Sequence, residues 1–304
     1  MIHASIKEQI NLLKREYDQH KPHKEALLKL LEETELPEQV YNSNAIENST
    51  LTLKETERIL LEQQVMRNVS VRELFEAQNL ARVIGYLDKH PNMNITLENI
   101  KLLHQMLLGG IDDEYAGRYR EAGEYVRVGR HIAPPPEHVE GLLQELILDY
   151  QNSQEVYFVE SIAEFHLRFE SIHPFNDGNG RLGRVILNHQ CASLGYPPFI
   201  IRSKGRERSY YPLFSAYNDD RKTEGMTLLL SRAVRESLHK RLAYLKGFKI
   251  IKLTDYARRT GQQANVVLNQ ANRQTIAAFR ERGVWCMGEE IKTQPSAKDV
   301  EKIQ

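Results

Sequence analysis

Twelve consecutive residues, HPFNDGNGRLGR at positions 173–184, bring together side chains suited to proton transfer and phosphate binding. His173 is the side chain in this segment that can take up a proton near neutral pH. Asp177 offers the hard carboxylate oxygen that Mg²⁺ prefers. Arg181 and Arg184 are three residues apart on the first turn of a predicted helix, so both guanidinium groups can contact one polyphosphate. The segment therefore predicts a base, a metal ligand and a phosphate site in one loop.

Helices are predicted on both sides of this loop, where they would hold it in place. Apolar residues recur at helical spacing before the loop, at Ile162, Phe165, Phe169 and Ile172. After it, a second helix opens with apolar residues at 185–187. A glycine-rich turn that runs into a helix N-terminus presents free backbone N–H groups and the positive end of the helix dipole. We therefore expect an anion site at Gly178, Asn179 and Gly180.

Each of these features alone also has a simpler explanation. A histidine can cap a helix end, an arginine pair can solvate a helix face, and Asp-Gly is a common turn. Their occurrence together and in this order favours chemistry. The sequence contains neither a G-x-x-x-x-G-K-[ST] phosphate loop nor a G-x-G-x-x-G after a predicted strand, so the more familiar nucleotide-binding folds are not supported.

The segment 173–184 resembles the signature of the Fic family, H-x-F-x-[DE]-G-N-G-R-x-x-R, at every specified position. The resemblance covers roughly residues 40 to 235. It implies an all-α fold, a Fic-type helical bundle with a small β-hairpin flap. It also implies a nucleotidyltransferase that moves AMP from Mg-ATP to Ser, Thr or Tyr hydroxyl groups of proteins, itself included.

The resemblance gives each polar residue of the loop an expected role. His173 deprotonates the incoming hydroxyl group, whose oxygen attacks the α-phosphorus of ATP while pyrophosphate leaves. Asp177 holds Mg²⁺. Arg181 steadies the phosphates, and Arg184 pairs with the far end of the triphosphate. Catalysis of this kind rests on positioning and charge neutralisation.

The resemblance also implies a role for the loop backbone and a choice of donor substrate. Asn179 and Gly180, next to Gly178, help to form the anion hole. Related Doc-type kinases turn the nucleotide around and transfer a phosphoryl group, and other relatives use UTP or a phosphocholine carrier. A different class of function, a DNA-binding regulator whose Fic domain senses nucleotide, also stays open.

Two further segments resemble functional parts of the family. Residues 118–136, where Tyr, Val and Ile alternate with polar residues, resemble the flap that binds the target protein by strand addition; an ordinary surface hairpin is the alternative. The run SYYPLFSAYND at 209–219 resembles the wall of the base pocket. Tyr210, Tyr211 and Asn218 are therefore candidates to contact adenine, although a tyrosine pair at a helix start is more often core or interface.

A short motif near the N-terminus, SNAIEN at 43–48, resembles the family's inhibitory motif [ST]-x-x-x-E-[GN]. Ser43 and Glu47 stand at i and i+4 on one helix face, and Asn48 can take the left-handed conformation that ends a helix. We expect Glu47 to form a bidentate pair with Arg184 and to leave ATP in a non-productive pose. The same carboxylate could instead align a water molecule for removal of AMP.

The chain is predicted to divide into three parts. Residues 1–95 form an N-terminal helical region with the inhibitory motif at 43–48. Residues 96–235 form the Fic catalytic core with its flap at 118–136. Residues 236–304 form a linker helix and a winged-helix-like unit. Helix starts with a capping box are predicted at Thr52 with Glu55, Ser70 with Glu73 and Ser161 with Glu164.

The C-terminal part reads as a helix ending near Lys246, a helix, a tight turn at Gly261, a second helix and a strand-turn-strand. Its surplus of basic residues makes DNA a candidate partner, with the second helix in a major groove. The arginines expected to meet phosphates are Arg258, Arg259, Arg273, Arg280 and Arg282. A protein-docking or homodimer surface is the alternative.

Composition sets the broad class. The chain has 304 residues with 41 basic and 41 acidic side chains, so no overall field draws it to nucleic acid or an anionic membrane. Its two cysteines, Cys191 and Cys286, match no metal-binding spacing and suit a reducing compartment. No stretch of about 18 apolar residues occurs. We therefore expect a cytoplasmic protein without a membrane partner.

Overall fold

The computed structural model describes residues 2–64 and 69–290 of the chain. The end of the predicted C-terminal part, residues 291–304, lies outside the described residues. The helices are α1 (Ala4–His20), α2 (Glu25–Ile46), α3 (Leu53–Glu57), α4 (Val71–Lys89), α5 (Leu97–Leu108), α6 (Val139–Asn152), α7 (Phe158–Ile172), α8 (Asn179–Ser193), α9 (Arg206–Ser209), α10 (Tyr211–Asp220), α11 (Glu224–Leu245), α12 (Leu253–Thr260) and α13 (Ala264–Arg273). The strands are β1 (Arg127–Val128), β2 (His131–Ile132), β3 (Lys249–Lys252), β4 (Ala278–Glu281) and β5 (Val284–Glu289). The prediction of a mainly helical fold is confirmed.

Helices α7 and α8 lie at the centre of the molecule because both carry apolar residues on more than one face. Phe165 and Phe169 of α7 pack into a core shared with α4, α5 and α6. Ile162 and Leu167 of the same helix pack into a second core shared with α1, α2 and α11. The loop at 173–184 connects these two central helices, so both of its ends are fixed by packing.

Two of the three predicted capping boxes mark true helix starts. Thr52 caps α3 with a complete capping box, and Ser70 caps α4 by accepting a hydrogen bond from the backbone of Glu73 at 3.1 Å. The prediction at Ser161 is wrong, because α7 already begins at Phe158. The ring of Phe158 stacks on Tyr196 at 4.3 Å between centroids, and this packing favours the earlier start.

The predicted flap contains a short hairpin. Strand β1 pairs antiparallel with β2, with Arg127 opposite Ile132 and Val128 opposite His131. The strands are only two residues long, so the hairpin depends on contacts at its base. Those contacts come from Arg120, described below with the site.

The C-terminal unit has the predicted order of helix, turn, helix and hairpin. Gly261 adopts φ +67 between α12 and α13, and β4 and β5 form the hairpin. Strand β3 was not predicted; it pairs antiparallel with β5 and completes a sheet of order β3-β5-β4. Winged-helix character and DNA binding remain predictions. Four of the five proposed phosphate contacts are engaged in ion pairs: Arg258 with Asp255, Arg259 with Glu289, Arg280 with Glu236 and Arg282 with Glu57.

Cys191 and Cys286 are both free and buried. Across residues 2–64 and 69–290, no helix has the length and apolar character needed to cross a bilayer.

Candidate active site

His173 caps the C-terminal end of α7 in a left-handed conformation, with φ +49. Its Nδ1 atom lies 3.3 Å from the carbonyl oxygen of Glu170. A carbonyl can only accept a hydrogen bond, so Nδ1 carries the proton and Nε2 keeps its lone pair. Burial lowers the pKa of His173 to about 4, so the imidazole is neutral near pH 7 and able to accept a proton.

Arg120, which sequence reasoning missed, ties the flap to this end of α7. Its buried guanidinium donates to the carbonyl oxygens of His173 at 2.8 Å and of Pro134 at 2.8 Å. It also donates to Glu124 O at 2.9 Å, and the Arg120 backbone donates to Pro174 O at 3.0 Å. One side chain therefore fixes both ends of the flap relative to His173.

The shape of the loop is set by Asn179 and His104. The Asn179 side chain accepts from Phe175 N at 3.0 Å and donates to Phe175 O at 2.8 Å. His104 stacks on Phe175 at 3.6 Å and, through Nε2, donates to Asp177 O at 2.9 Å. Because the Asn179 side chain is engaged by the loop itself, only its backbone N–H is placed to serve an anion.

Gly178 lets this loop turn into α8. It adopts φ +80, a conformation that favours glycine. A Cβ atom there would lie 2.8 Å from Leu108 Cδ2, so the side of the loop opposite the site is closely packed. The residue is thus required both by the turn and by the core beneath it.

Asp177 lies in a positively charged environment. Its carboxylate contacts Arg181 Nη2 at 3.0 Å, the backbone N–H of Gly178 and the guanidinium of Arg72. Burial alone would raise the pKa of Asp177, but Arg181, the Gly178 hydrogen bond and Arg72 together lower it below its usual value. The carboxylate is therefore ionised at neutral pH, as a metal ligand must be.

Arg184 is buried and faces the end of α2. It donates from Nε to Ser43 Oγ at 3.0 Å, and from Nη2 to Ser43 O at 2.9 Å and to Glu47 Oε1 at 2.8 Å. The predicted bidentate pair is wrong in detail, because Ser43 takes the Nε donor and Glu47 offers one oxygen. Asn48 has φ +68, the left-handed conformation predicted for it.

The Glu47 carboxylate also covers the N-terminus of α8. A Cβ atom on Gly180 would lie 2.2 Å from Glu47 Oε1, so only glycine permits this approach. Carboxylates are stabilised at helix N-termini for the same reason that phosphates are. Glu47 therefore occupies the place where the sequence predicts an anion site.

The three residues predicted to contact adenine occupy different environments. Tyr210 is only 2% exposed, and its hydroxyl group lies 2.7 Å from His166 Nε2; a ring buried in this way cannot stack on a nucleotide, so this assignment is corrected to core. Tyr211 is half-buried and donates to Ile46 O at the end of α2. Asn218 Oδ1 accepts from Ser171 Oγ at 2.6 Å.

Sequence reasoning also missed Glu170, a buried carboxyl group behind the loop. Its Oε1 atom has no hydrogen-bond partner among the described residues. Burial, reinforced by Glu47, raises the pKa of Glu170 to about 8, while Arg184 opposes the shift. Glu170 is therefore neutral at pH 7, and the carboxyl group that contacts Arg184 is that of Glu47. Nothing in the sequence around Glu170, FESIH at 169–173, indicated that this side chain is buried.

The loop at 173–184 and helices α5 to α7 lie within the part of the chain that matches a known family model. Residues 94–191 match the family described as Fic/DOC. Among solved structures, similarity is found to a Fic-domain-containing signaling protein from Bacteroides thetaiotaomicron, with TM-score 0.72 and 23% identity over 79% of this chain and 97% of that one. A Fic family protein from Desulfovibrio desulfuricans G20 gives TM-score 0.66 and 21% identity over 97% and 98% of the two chains. These two likenesses concern the fold.

Curated relatives carry the name "Protein adenylyltransferase Fic". The Drosophila melanogaster protein is 33% identical over 185 residues, and the Drosophila persimilis protein 32%. The alignments cover 60% of this chain but only 37% and 36% of those proteins. Fic-1 from C. elegans, residues 134–508, has TM-score 0.68 and 26% identity over 80% of this chain and 74% of that structure. The chain thus spans little more than a third of the length of the curated relatives.

Proposed function

We propose that this protein is an adenylyltransferase that transfers AMP from Mg-ATP to hydroxyl groups of proteins, including its own. One observation carries the proposal: the neutral imidazole of His173 ends α7, and a five-residue loop that contains Asp177 leads from it to the N-terminus of α8, which carries Arg181 and Arg184. A base, a metal ligand and two cations meet there, as the transfer of a charged phosphoryl group to an alcohol requires. The adenylyltransferase name of the curated relatives supports the same chemistry.

The residues present fit a magnesium ion that is shared with substrate. Within residues 2–64 and 69–290, no group of three or more His, Cys, Asp or Glu residues forms a metal cage. Magnesium sites in phosphoryl-transfer enzymes commonly use one or two carboxylates, with substrate phosphates and water as the other ligands. Asp177 would be that carboxylate, and the ion would neutralise charge on the phosphates.

The remaining steps fall to the chain's own groups. Nε2 of His173 accepts the proton of the target hydroxyl group as its oxygen bonds to the α-phosphorus and the bond to pyrophosphate breaks. Backbone N–H groups at Gly180 and the start of α8 would donate hydrogen bonds to phosphate oxygens. Arg181, held by an ion pair to Glu76 at 3.1 Å, would stay in place throughout.

The flap at 118–136 is proposed to bind the protein substrate. Val128 and Ile132 of the strand pair are 45% and 70% exposed, and Tyr125, just before β1, is 65% exposed, which leaves apolar side chains open to a partner. Strand addition to such an edge would align the target hydroxyl group with His173. Arg120 connects the two sites, since it bonds both the flap and the His173 carbonyl.

Glu47 is proposed to hold the enzyme in an inhibited state. Its carboxyl group hydrogen-bonds Arg184 and lies against Gly180. The triphosphate is proposed to bind at both of these positions. ATP could then bind only with its far end misplaced. Release of Glu47 would free both contacts at once.

Mass spectrometry after incubation with Mg-ATP tests the proposed chemistry. We expect Glu47→Gly protein to gain the mass of AMP on hydroxyl residues, and the added His173→Ala change to abolish the gain. His90→Ala, at the exposed end of α4, is the matched control and should leave it intact. A gain of phosphate alone would instead indicate the kinase orientation, and no gain at all would refute the transferase assignment.

A further inference from the structure

A second buried carboxylate on α2, Glu38, binds the C-terminal unit. Its Oε1 atom accepts from Gly283 N at 2.8 Å and its Oε2 atom from Arg282 N at 3.1 Å. Arg202 supplies a salt bridge to the same group. Arg282 and Gly283 form the two-residue turn between β4 and β5, with φ +50 and φ +78. A hairpin turn therefore grips α2 nine residues before Glu47.

Further polar contacts hold the same face of α2 against neighbouring segments. Glu35, one turn earlier, pairs with Arg241 and Lys240 of α11, the latter at 2.7 Å. Asn42, one turn later, accepts from Ser203 N at 3.0 Å. These anchors lead directly to Ser43 and Glu47, so the position of the inhibitory end is set by contacts along the whole helix.

The hydrogen bonds of Glu38 fix the position of α2 relative to the β4–β5 turn. A buried carboxylate that accepts two backbone N–H groups is satisfied only when the turn and the helix stay in place, since an unpaired buried charge is costly. The 2.8 Å contact between Glu47 and Arg184 tolerates little movement of α2. A shift at the turn would thus be transmitted to Glu47 through one helix.

We propose that the β4–β5 turn is a positioning clamp, which holds α2 in the register that brings Glu47 to Arg184. This inference rests on the inhibitory role proposed for Glu47. Contacts between the two sites act in both directions, so a partner that displaces the turn would weaken the Glu47–Arg184 contact, and ATP that displaces Glu47 would loosen the turn. Glu38 is a positioning residue and touches no substrate.

Two variants of the full chain test the clamp. Glu38→Gln keeps the size of the side chain but removes its charge. Insertion of one glycine between Arg282 and Gly283 keeps every charge but moves the two N–H groups. Glu289→Gln is the matched control, because Glu289 pairs with Arg259 within the C-terminal unit, at 2.8 Å. Hydrogen exchange of backbone amides 40–47 and label incorporation from α-labelled ATP are measured for each variant.

The clamp predicts about tenfold faster exchange at 40–47 in both variants, as expected for the loss of a charge-assisted hydrogen bond, and higher label incorporation. Combined with Glu47→Gly, neither should add to incorporation. Unchanged hydrogen exchange at 40–47 would overturn the clamp. So would a rise in label incorporation that adds to the rise caused by Glu47→Gly. Exchange needs no activity, so an inactive Glu47→Gly protein would refute the proposed function while exchange still decides the clamp.

Discussion

Arg184 and Glu47 are 137 positions apart in the sequence, yet Nη2 of the arginine lies 2.8 Å from Oε1 of the glutamate. Burial would lower the pKa of Arg184, but Glu47 raises it above its usual value, so the pair stabilises the charged guanidinium. A guanidinium engaged in this way cannot also bind the end of a triphosphate. Under the proposed function, this contact would make activity depend on the position of α2.

Replacement of Glu47 by glycine should activate the protein. Arg184 and the N-terminus of α8 become free for phosphate, and we expect incorporation from α-labelled ATP to rise by about tenfold or more, within the usual range of coupling between sites. Asn48→Gly is the matched control, because residue 48 already has φ +68 and the change leaves Glu47 in place. Equal incorporation by Glu47→Gly and wild-type protein would remove inhibition from this account.

Arg72 should compete with magnesium for Asp177. Its guanidinium contacts the Asp177 carboxylate from an exposed position, with 57% of the side chain accessible. We expect Arg72→Ala to lower the magnesium concentration at half-maximal activity by about twofold to fivefold, as for an exposed ion pair. Arg82→Ala, exposed on the same helix, is the control. An unchanged or higher magnesium requirement would exclude this competition.

Gly178→Ala should destabilise the fold. The added methyl group meets Leu108 Cδ2 at 2.8 Å, and the left-handed conformation adds its own cost. Together we expect a loss of about 2 to 4 kcal/mol in the free energy of unfolding. Gly129→Ala provides the comparison, because Gly129 also has positive φ but an open surrounding, and it should lose only about 1 kcal/mol. Equal losses in urea unfolding would contradict the packing argument.

Acid should loosen the loop through His104. Gly117 N donates to Nδ1 at 2.9 Å and Nε2 donates to Asp177 O, so the folded state holds a neutral imidazole, and burial lowers its pKa from 6.5 to about 4. A lowered pKa gives stability that is present above pH 6.5 and is lost as the pH falls through 4.

His104→Gln tests this dependence. The variant should lose less unfolding free energy than wild-type protein between pH 7 and pH 4, by on the order of 3 kcal/mol. Urea unfolding across that range provides the measurement. Parallel pH profiles for the two proteins would show that His104 is not the group responsible.

The candidate site was largely predictable because its chemistry lies in one contiguous loop. The order of His173, Asp177, Arg181 and Arg184 fixes their separation along the loop and the start of α8, so local sequence is sufficient. The pairing of Glu47 with Arg184 was predicted from a separate motif, and the structure shows that pair; its inhibitory role stays a prediction. The sharing of the Arg184 hydrogen bonds between Ser43 and Glu47 was not predictable, because it depends on the angle at which α2 meets α8.

Other features depend on packing that sequence does not display. Arg120 and His104 reach the loop from distant segments, and nothing in their local sequence indicates that they hydrogen-bond its backbone. Tyr210 was assigned to the base pocket because residues 209–219 resemble that part of the family, but a tyrosine is compatible with both a core and a surface. Arg280 and Arg282 were proposed as DNA contacts from the winged-helix-like pattern and the local surplus of basic residues, while in the fold they pair with Glu236 and Glu57.

The most direct test is a crystal structure of Glu47→Gly protein with magnesium and a non-hydrolysable ATP analogue. We predict that the triphosphate lies on the N-terminus of α8, with Asp177 on the metal ion, Arg184 at the far phosphate and the His173 imidazole facing the α-phosphorus. A nucleotide bound elsewhere, or a loop left vacant at saturating ligand, would contradict the central claim.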